Sequence, residues 1–139
     1  MGTQYYMSTK GLLLVGHGSK LQYNKELILE TGRMIADKSS EFIVKCGFMS
    51  MNEPSVVDML EEFSHAAIDV LVVVPLFLAK GVHIEKDIPA LLGLPEGGRK
   101  GTFKTDSGTV PLVYAEPIGV DPLLADLMLK NAENALKLV

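Results

Sequence analysis

Cysteine is almost missing from this chain: Cys46 is the only one among 139 residues. An intramolecular disulfide is therefore impossible, and the composition fits a reducing cytoplasm. An excess of basic charge is missing too. With 13 Lys and Arg against 17 Asp and Glu, the formal net charge is −4 and no basic stripe appears, which argues against wholesale binding of nucleic acid. No apolar run approaches the roughly 20 residues a membrane span needs. The longest, VLVVVPLFLA at 70–79, has strand length and contains Pro75. The first ten residues, MGTQYYMSTK, lack the basic-then-apolar layout of a signal peptide. Residues 1–9 read as a flexible leader, with Met7 either a second start or a junction with an added segment. Internal repeats and low-complexity tracts are absent as well.

What is present suits one globular domain over residues 10–139, apolar enough at 47% to build a real core. GLLLVG, residues 11–16, reads as a buried strand. Leu27 with Met34, and Ile28 with Ile35, then mark the inner face of a helix. A second strand follows in EFIVKCGFM, where Cys46 fills core. The next helix is expected to open at Asn52 as N-cap with Pro54 in its first turn. VLVVVPLFL is hydrophobic on both faces, as central parallel strands are. A short helix is expected across 84–92, then a long glycine-rich polar loop over 94–109. The fourth strand is VPLVYAEP. The last helix has Asp121 as N-cap and Pro122 at its first position, and Leu124, Leu127, Met128 and Leu138 line one face.

This βα alternation predicts a flavodoxin-like, open parallel α/β sheet of four strands, order 2-1-3-4, with helices on both faces. In that order strands one and three are neighbours, and the loops at their carboxyl ends open a crevice. His17 follows the first strand and His83 the third, so two of the three histidines converge there. Glu53 ends the loop after the second strand at the same edge, where it is either a site residue or a favourable charge at a helix N-terminus. His65, in EFSHAAID, lies near the end of the second helix and reads as a surface histidine.

GHGSK at 16–20 is neither a Walker A loop nor a complete G-x-G-x-x-G, since position 21 is Leu. Nor is it a G-x-S-x-G elbow. Two imidazoles and a carboxylate suit a divalent transition metal such as Zn, Fe, Co or Ni. Two histidines alone form an incomplete cage, which leaves coordination positions open for handing the metal to another ligand.

LLLVGHGS, NEPSV, VVVPLFLAKGVHIEKDIPALLG and AEPIG together resemble the small, archaeal-type sirohydrochlorin chelatases of the class II chelatase family. The likeness runs from about residue 10 to 130, and the block carrying His83 and D-I-P is its most specific part. The resemblance implies ATP-independent insertion of Co²⁺ or Ni²⁺ into sirohydrochlorin, a carboxylate-rich tetrapyrrole, in cobalamin or coenzyme F430 synthesis. It implies a homodimer, and no cofactor beyond the substrate metal. Carried over by motif, His17 is the proton acceptor and a metal ligand, and His83 the second ligand. Glu53, Leu78, Ala79, Lys80, Gly81, Val82 and His83 are the substrate-contacting positions.

Metallation must strip two pyrrole N–H protons, and a neutral imidazole can take a proton or bind a metal near neutrality. One nitrogen cannot do both at once, so His17 is read as ligand first and proton acceptor as the metal leaves. The chain departs from some small chelatases in having LPEGGRKGTFKTDSG, without histidine, after LLG. Arg99, Lys100 and Lys104 in that stretch either meet substrate carboxylates or belong to a solvated loop. A siroheme-type ferrochelatase, a non-enzymatic Co or Ni carrier and a flavin- or phosphate-binding module are the competing readings.

Overall fold

The computed structural model describes residues 9–139. All but the last residue of the expected leader, and Met7 with it, lie outside the described residues. The elements are β1 (Lys10–Gly16), α1 (Gln22–Lys38), β2 (Phe42–Phe48), α2 (Val56–Ser64), β3 (Val70–Pro75), a π turn (His83–Asp87) running into α3 (Ile88–Leu91), β4 (Lys100–Thr105), β5 (Gly108–Tyr114) and α4 (Pro122–Leu136). The sheet has the order β2-β1-β3-β5-β4. Strands β2, β1, β3 and β5 are parallel, and β4 runs antiparallel to β5.

The expected parallel order is therefore present, with β5 as its fourth strand. The correction is one further strand inside the expected loop. In KGTFKT, Gly101, Phe103 and Thr105 turn inward while Lys100, Thr102 and Lys104 face out, the period-two alternation of a half-buried strand. Asp106 and Ser107 make the turn, Thr105 pairs with Gly108, and the Thr105 hydroxyl donates to the Gly108 carbonyl at 2.8 Å. Outward lysines on such an edge discourage pairing with another chain.

Alternate residues of the central strands feed two cores. Leu13, Val15, Leu71, Val73 and Leu112 pack under Val56, Met59 and Phe63 of α2 and under Ile84 and Ile88. On the opposite face Leu12 and Leu14 pack with Ile28 of α1 and Phe48 of β2. Burying each such side chain contributes roughly 1.5–3 kcal/mol. Cys46 does fill core: its sulfur lies so close to α1 that a Cβ on Gly32 would come within 2.5 Å of it, and burial pushes its thiol pKa up.

Three helix expectations need correcting. Helix α2 starts at Val56 with Ser55 as N-cap, whose hydroxyl accepts from the Asp58 N–H at 3.0 Å. The Asn52 side chain is engaged elsewhere, and Glu53–Pro54 is a cis peptide outside the helix. On α1, Ile28 and Gly32 face the sheet while Leu27 and Met34 are exposed. Helix α4 begins as expected, with Asp121 accepting from Leu123 N–H at 2.8 Å, yet it buries no side chain. Its apolar face instead forms one wall of an open groove of about 740 Å³ against Met34 and Ile35 of α1.

Candidate metal-handling site

His17 stands at the carboxyl end of β1, and its neighbours hold it there. Three hydrogen bonds fix the strand end to adjacent chain: Leu76 N–H to Val15 O, Met49 N–H to Gly16 O and Ser50 N–H to His17 O, at 2.9, 3.0 and 3.2 Å. The flanking glycines are steric necessities. A Cβ on Gly16 would lie 2.6 Å from the Ile28 side chain, and one on Gly18 would lie 1.8 Å from the Ser50 carbonyl oxygen. Gly18 also has a φ of +96°, which disfavours a side chain. The loop is tied across to the chain after β2, because Ser19 N–H donates to Asn52 Oδ1 at 2.8 Å.

His83 opens the π turn after β3. Ile88 N–H closes that turn on the His83 carbonyl, five residues back. The same register would assign the Ile84 carbonyl to residue 89, but Pro89 has no N–H to give. The Tyr114 hydroxyl donates there instead, at 3.0 Å, and Gly97 N–H serves the Glu85 carbonyl at 3.0 Å. Burial pushes the Tyr114 hydroxyl pKa up to about 12, so it remains a donor throughout the neutral range. π turns of this kind are frequent at functional sites.

The two imidazoles meet. His17 Nε2 lies 3.1 Å from His83 Nε2, with ring centroids 4.6 Å apart, and Phe77 flanks both at 6.3 Å. The outer nitrogens are engaged as well: His17 Nδ1 is 3.1 Å from the Gly18 carbonyl oxygen, and His83 Nδ1 is 2.7 Å from Asp87 Oδ2. Both partners are pure acceptors, so this network assigns a proton to each Nδ1. Two neutral rings would then point Nε2 lone pairs at one another. Such a pair of lone pairs is suited to coordinate one metal ion together.

Of the expected site residues, the fold unites His17 and His83 and leaves Glu53 apart. Glu53 is exposed on the chain between β2 and α2, next to Asn52 and on the same sheet edge. Among the described residues no three His, Cys, Asp or Glu side chains form a metal cage. Leu78, Ala79, Lys80, Gly81 and Val82 are all exposed on the segment leading to His83. That segment is anchored at its base by Ile118 N–H to Phe77 O and Gly119 N–H to Leu78 O, at 2.9 and 2.7 Å.

Arg99 is tied up within the chain. It reaches Glu116 at 3.0 Å and Glu85 at 3.7 Å and lies 5.0 Å over the Tyr114 ring. Lys80 also contacts Glu116, at 3.5 Å. Lys100 and Lys104 face outward from β4. His65 sits at the far edge of the sheet, between Asp106 and Glu61. Asp87 and Phe77 were not picked out by the sequence, although a carboxylate four residues after a histidine is a readable helical pairing.

The CbiX family model matches residues 11–135. The chain belongs to the CbiX family. A sirohydrochlorin cobaltochelatase of Methanosarcina barkeri is 48% identical over 126 residues, covering 91% of this chain and 96% of that one. Its counterpart in Methanosarcina acetivorans is 45% identical with the same coverage. Among solved structures, the sirohydrochlorin chelatase SirB of Bacillus subtilis subspecies spizizenii, in complex with cobalt, has the same fold. It aligns with a TM-score of 0.71 at 21% identity, over 91% of this chain and 50% of that one. Among the described residues of this CbiX protein no helix is long and apolar enough to cross a membrane.

Proposed function

We propose that this CbiX protein inserts Co²⁺ or Ni²⁺ into sirohydrochlorin in the cytoplasm without ATP, with His17 and His83 carrying the metal to the macrocycle. The observation behind this reading is the 3.1 Å separation of two Nε2 atoms whose partner nitrogens are both engaged as donors. With metal–nitrogen bonds of about 2.0–2.1 Å, that separation subtends about 100° at a shared ion. Such an angle lies between the octahedral right angle and the tetrahedral angle, within reach of either metal. Two protein ligands leave positions open for pyrrole nitrogens.

As those nitrogens replace the imidazoles, two pyrrole protons must depart. His17 Nε2, freed by the same exchange, accepts one. The exposed carboxylate of Glu53, on the same edge, is suited to handle the macrocycle and its protons. The segment from Leu78 to His83 would lie against the ring. The relatives named sirohydrochlorin cobaltochelatase support cobalt over the other metals.

The working unit is a homodimer. Leu123, Leu127, Met128 and Leu129 of α4 are each more than half exposed, an apolar display more typical of an interface than of a monomer surface.

Purified protein mixed with sirohydrochlorin and Co²⁺ should convert the free-base absorption spectrum to that of the metal complex much faster than the uncatalysed control. Co²⁺ binding with no spectral acceleration would identify a carrier instead, and acceleration by Fe²⁺ alone would identify a ferrochelatase. Sedimentation at micromolar concentration should show a dimer; a fully active monomer refutes the assembly.

A further inference from the structure

The carboxylate of Asp87 lies behind His83 rather than in front of it. Its Oδ2 is 2.7 Å from Nδ1, on the side of the ring away from His17. It therefore does not occupy the position of a third ligand. A histidine that gives its second N–H to a carboxylate has its tautomer and ring orientation fixed, and the basicity of its free nitrogen raised. His17 has only a backbone carbonyl in that role, so the two imidazoles of the pair are mounted differently.

The mount is built into the backbone. His83 and Asp87 are the first and last residues of the π turn, and their pairing depends on that turn keeping its register. Pro89 removes one of its backbone donors, and the Tyr114 hydroxyl and Gly97 N–H satisfy the carbonyls left over. Ile84 and Ile88, on the opposite side, are fully buried in the core. The turn is thus pinned from the sheet side while its polar side presents His83 to His17.

We propose that Asp87 is the positioning residue of the metal-transfer step, holding His83 as the Nδ1–H tautomer with Nε2 turned to the shared ion. The inference rests on the reading of His83 as a metal ligand. It assigns no proton transfer to Asp87 and no contact with the macrocycle.

The test uses the full chain and Co²⁺ alone, followed by visible absorption of the bound ion, with imidazole ¹⁵N spectra of the metal-free protein. Three histidines in the sequence keep those spectra simple. Asp87→Ala should shift His83 from the Nδ1–H tautomer to a mixture and weaken Co²⁺ binding about 10–100-fold. Asp87→Asn can accept from Nδ1–H but can also turn its NH₂ to Nδ1, so it should hold a mixed tautomer and fall between Asp87→Ala and wild type on both readouts. If Asp87→Ala keeps the wild-type tautomer, or keeps wild-type affinity and cobalt spectrum, the positioning role is wrong. His83→Ala separates the two readings. Should it bind Co²⁺ as tightly as wild type, the ligand assignment itself fails. Should it lose binding while Asp87→Ala does not, only the role of Asp87 fails.

Discussion

Two histidines in this protein sit four residues from a carboxylate, and they are used in opposite ways. His65 caps α2, with Glu61 3.1 Å from its Nε2 and Asp106 2.9 Å from its Nδ1. Both ring nitrogens are taken by carboxylates, so the residue serves as a cationic link between α2 and the β4–β5 turn. His83 has a carboxylate on Nδ1 only, and its Nε2 faces another imidazole. A second acid opposite Nε2 would have made it another ion pair. A histidine works as a ligand when one nitrogen is committed to the protein and the other is left for something else.

The comparison breaks most visibly at the shared nitrogen pair. Under the proposed function, His83→Ala removes a ligand and should slow Co²⁺ insertion, leaving His17 to accept a proton, whereas His17→Ala removes ligand and acceptor together. It should fall further by the contribution of a general base, about 10²–10⁴-fold. Initial rates with Co²⁺ and Ni²⁺, on variants shown to be folded, measure the difference. A His17→Ala enzyme with near-normal rates would make the histidine in GHGS structural.

A smaller effect is expected inside the turn that carries His83. Tyr114→Phe deletes the donor that serves the Ile84 carbonyl inside the π turn and changes little else in a buried ring. Leaving a buried acceptor unsatisfied costs about 1–3 kcal/mol, read as a lower denaturant midpoint. Because the turn also sets His83, cobalt affinity should fall along with stability, though less than in His83→Ala. Lower stability with unchanged cobalt affinity would show that the turn keeps its register without the hydroxyl.

Much of this was legible in the residues. The apolar run at 70–79 identified the central strand, and the β1 and β3 ends brought His17 and His83 to one edge, because chain order and handedness leave few alternatives. The strand at 100–105 was hidden by its composition. Three of its six positions face out and carry Lys or Thr, so the period-two signal rests on Gly101, Phe103 and Thr105. Helix α4 misled in the other direction. Its apolar face looks like core in sequence, and nothing local distinguishes a face that packs on its own sheet from one left open. Asp87 is present in D-I-P, but its direction depends on a π turn in which Pro89 offers no N–H and the Tyr114 hydroxyl, 25 residues further along the chain, donates to the Ile84 carbonyl instead.

The smallest effect on activity, and the sharpest control, belongs to His65. Its pKa is raised first by the hydrogen bond to Asp106, then by that to Glu61. A histidine whose folded value lies above its unfolded one binds more protons in the folded state. Its contribution to stability is therefore fully present below the unfolded value of about 6.5 and is lost as pH rises through the folded value. Both partners are exposed, so the effect is small and screened by salt. Wild type should melt above His65→Ala near pH 6 at low salt, and the two melting temperatures should converge as the pH is raised well beyond the folded value. Insertion rates should match at every pH, since the α2 end and the β4–β5 turn lie at the sheet edge opposite His17 and His83. A rate loss in His65→Ala, with stability intact, would mean that the two histidine–carboxylate pairs are not separate in function.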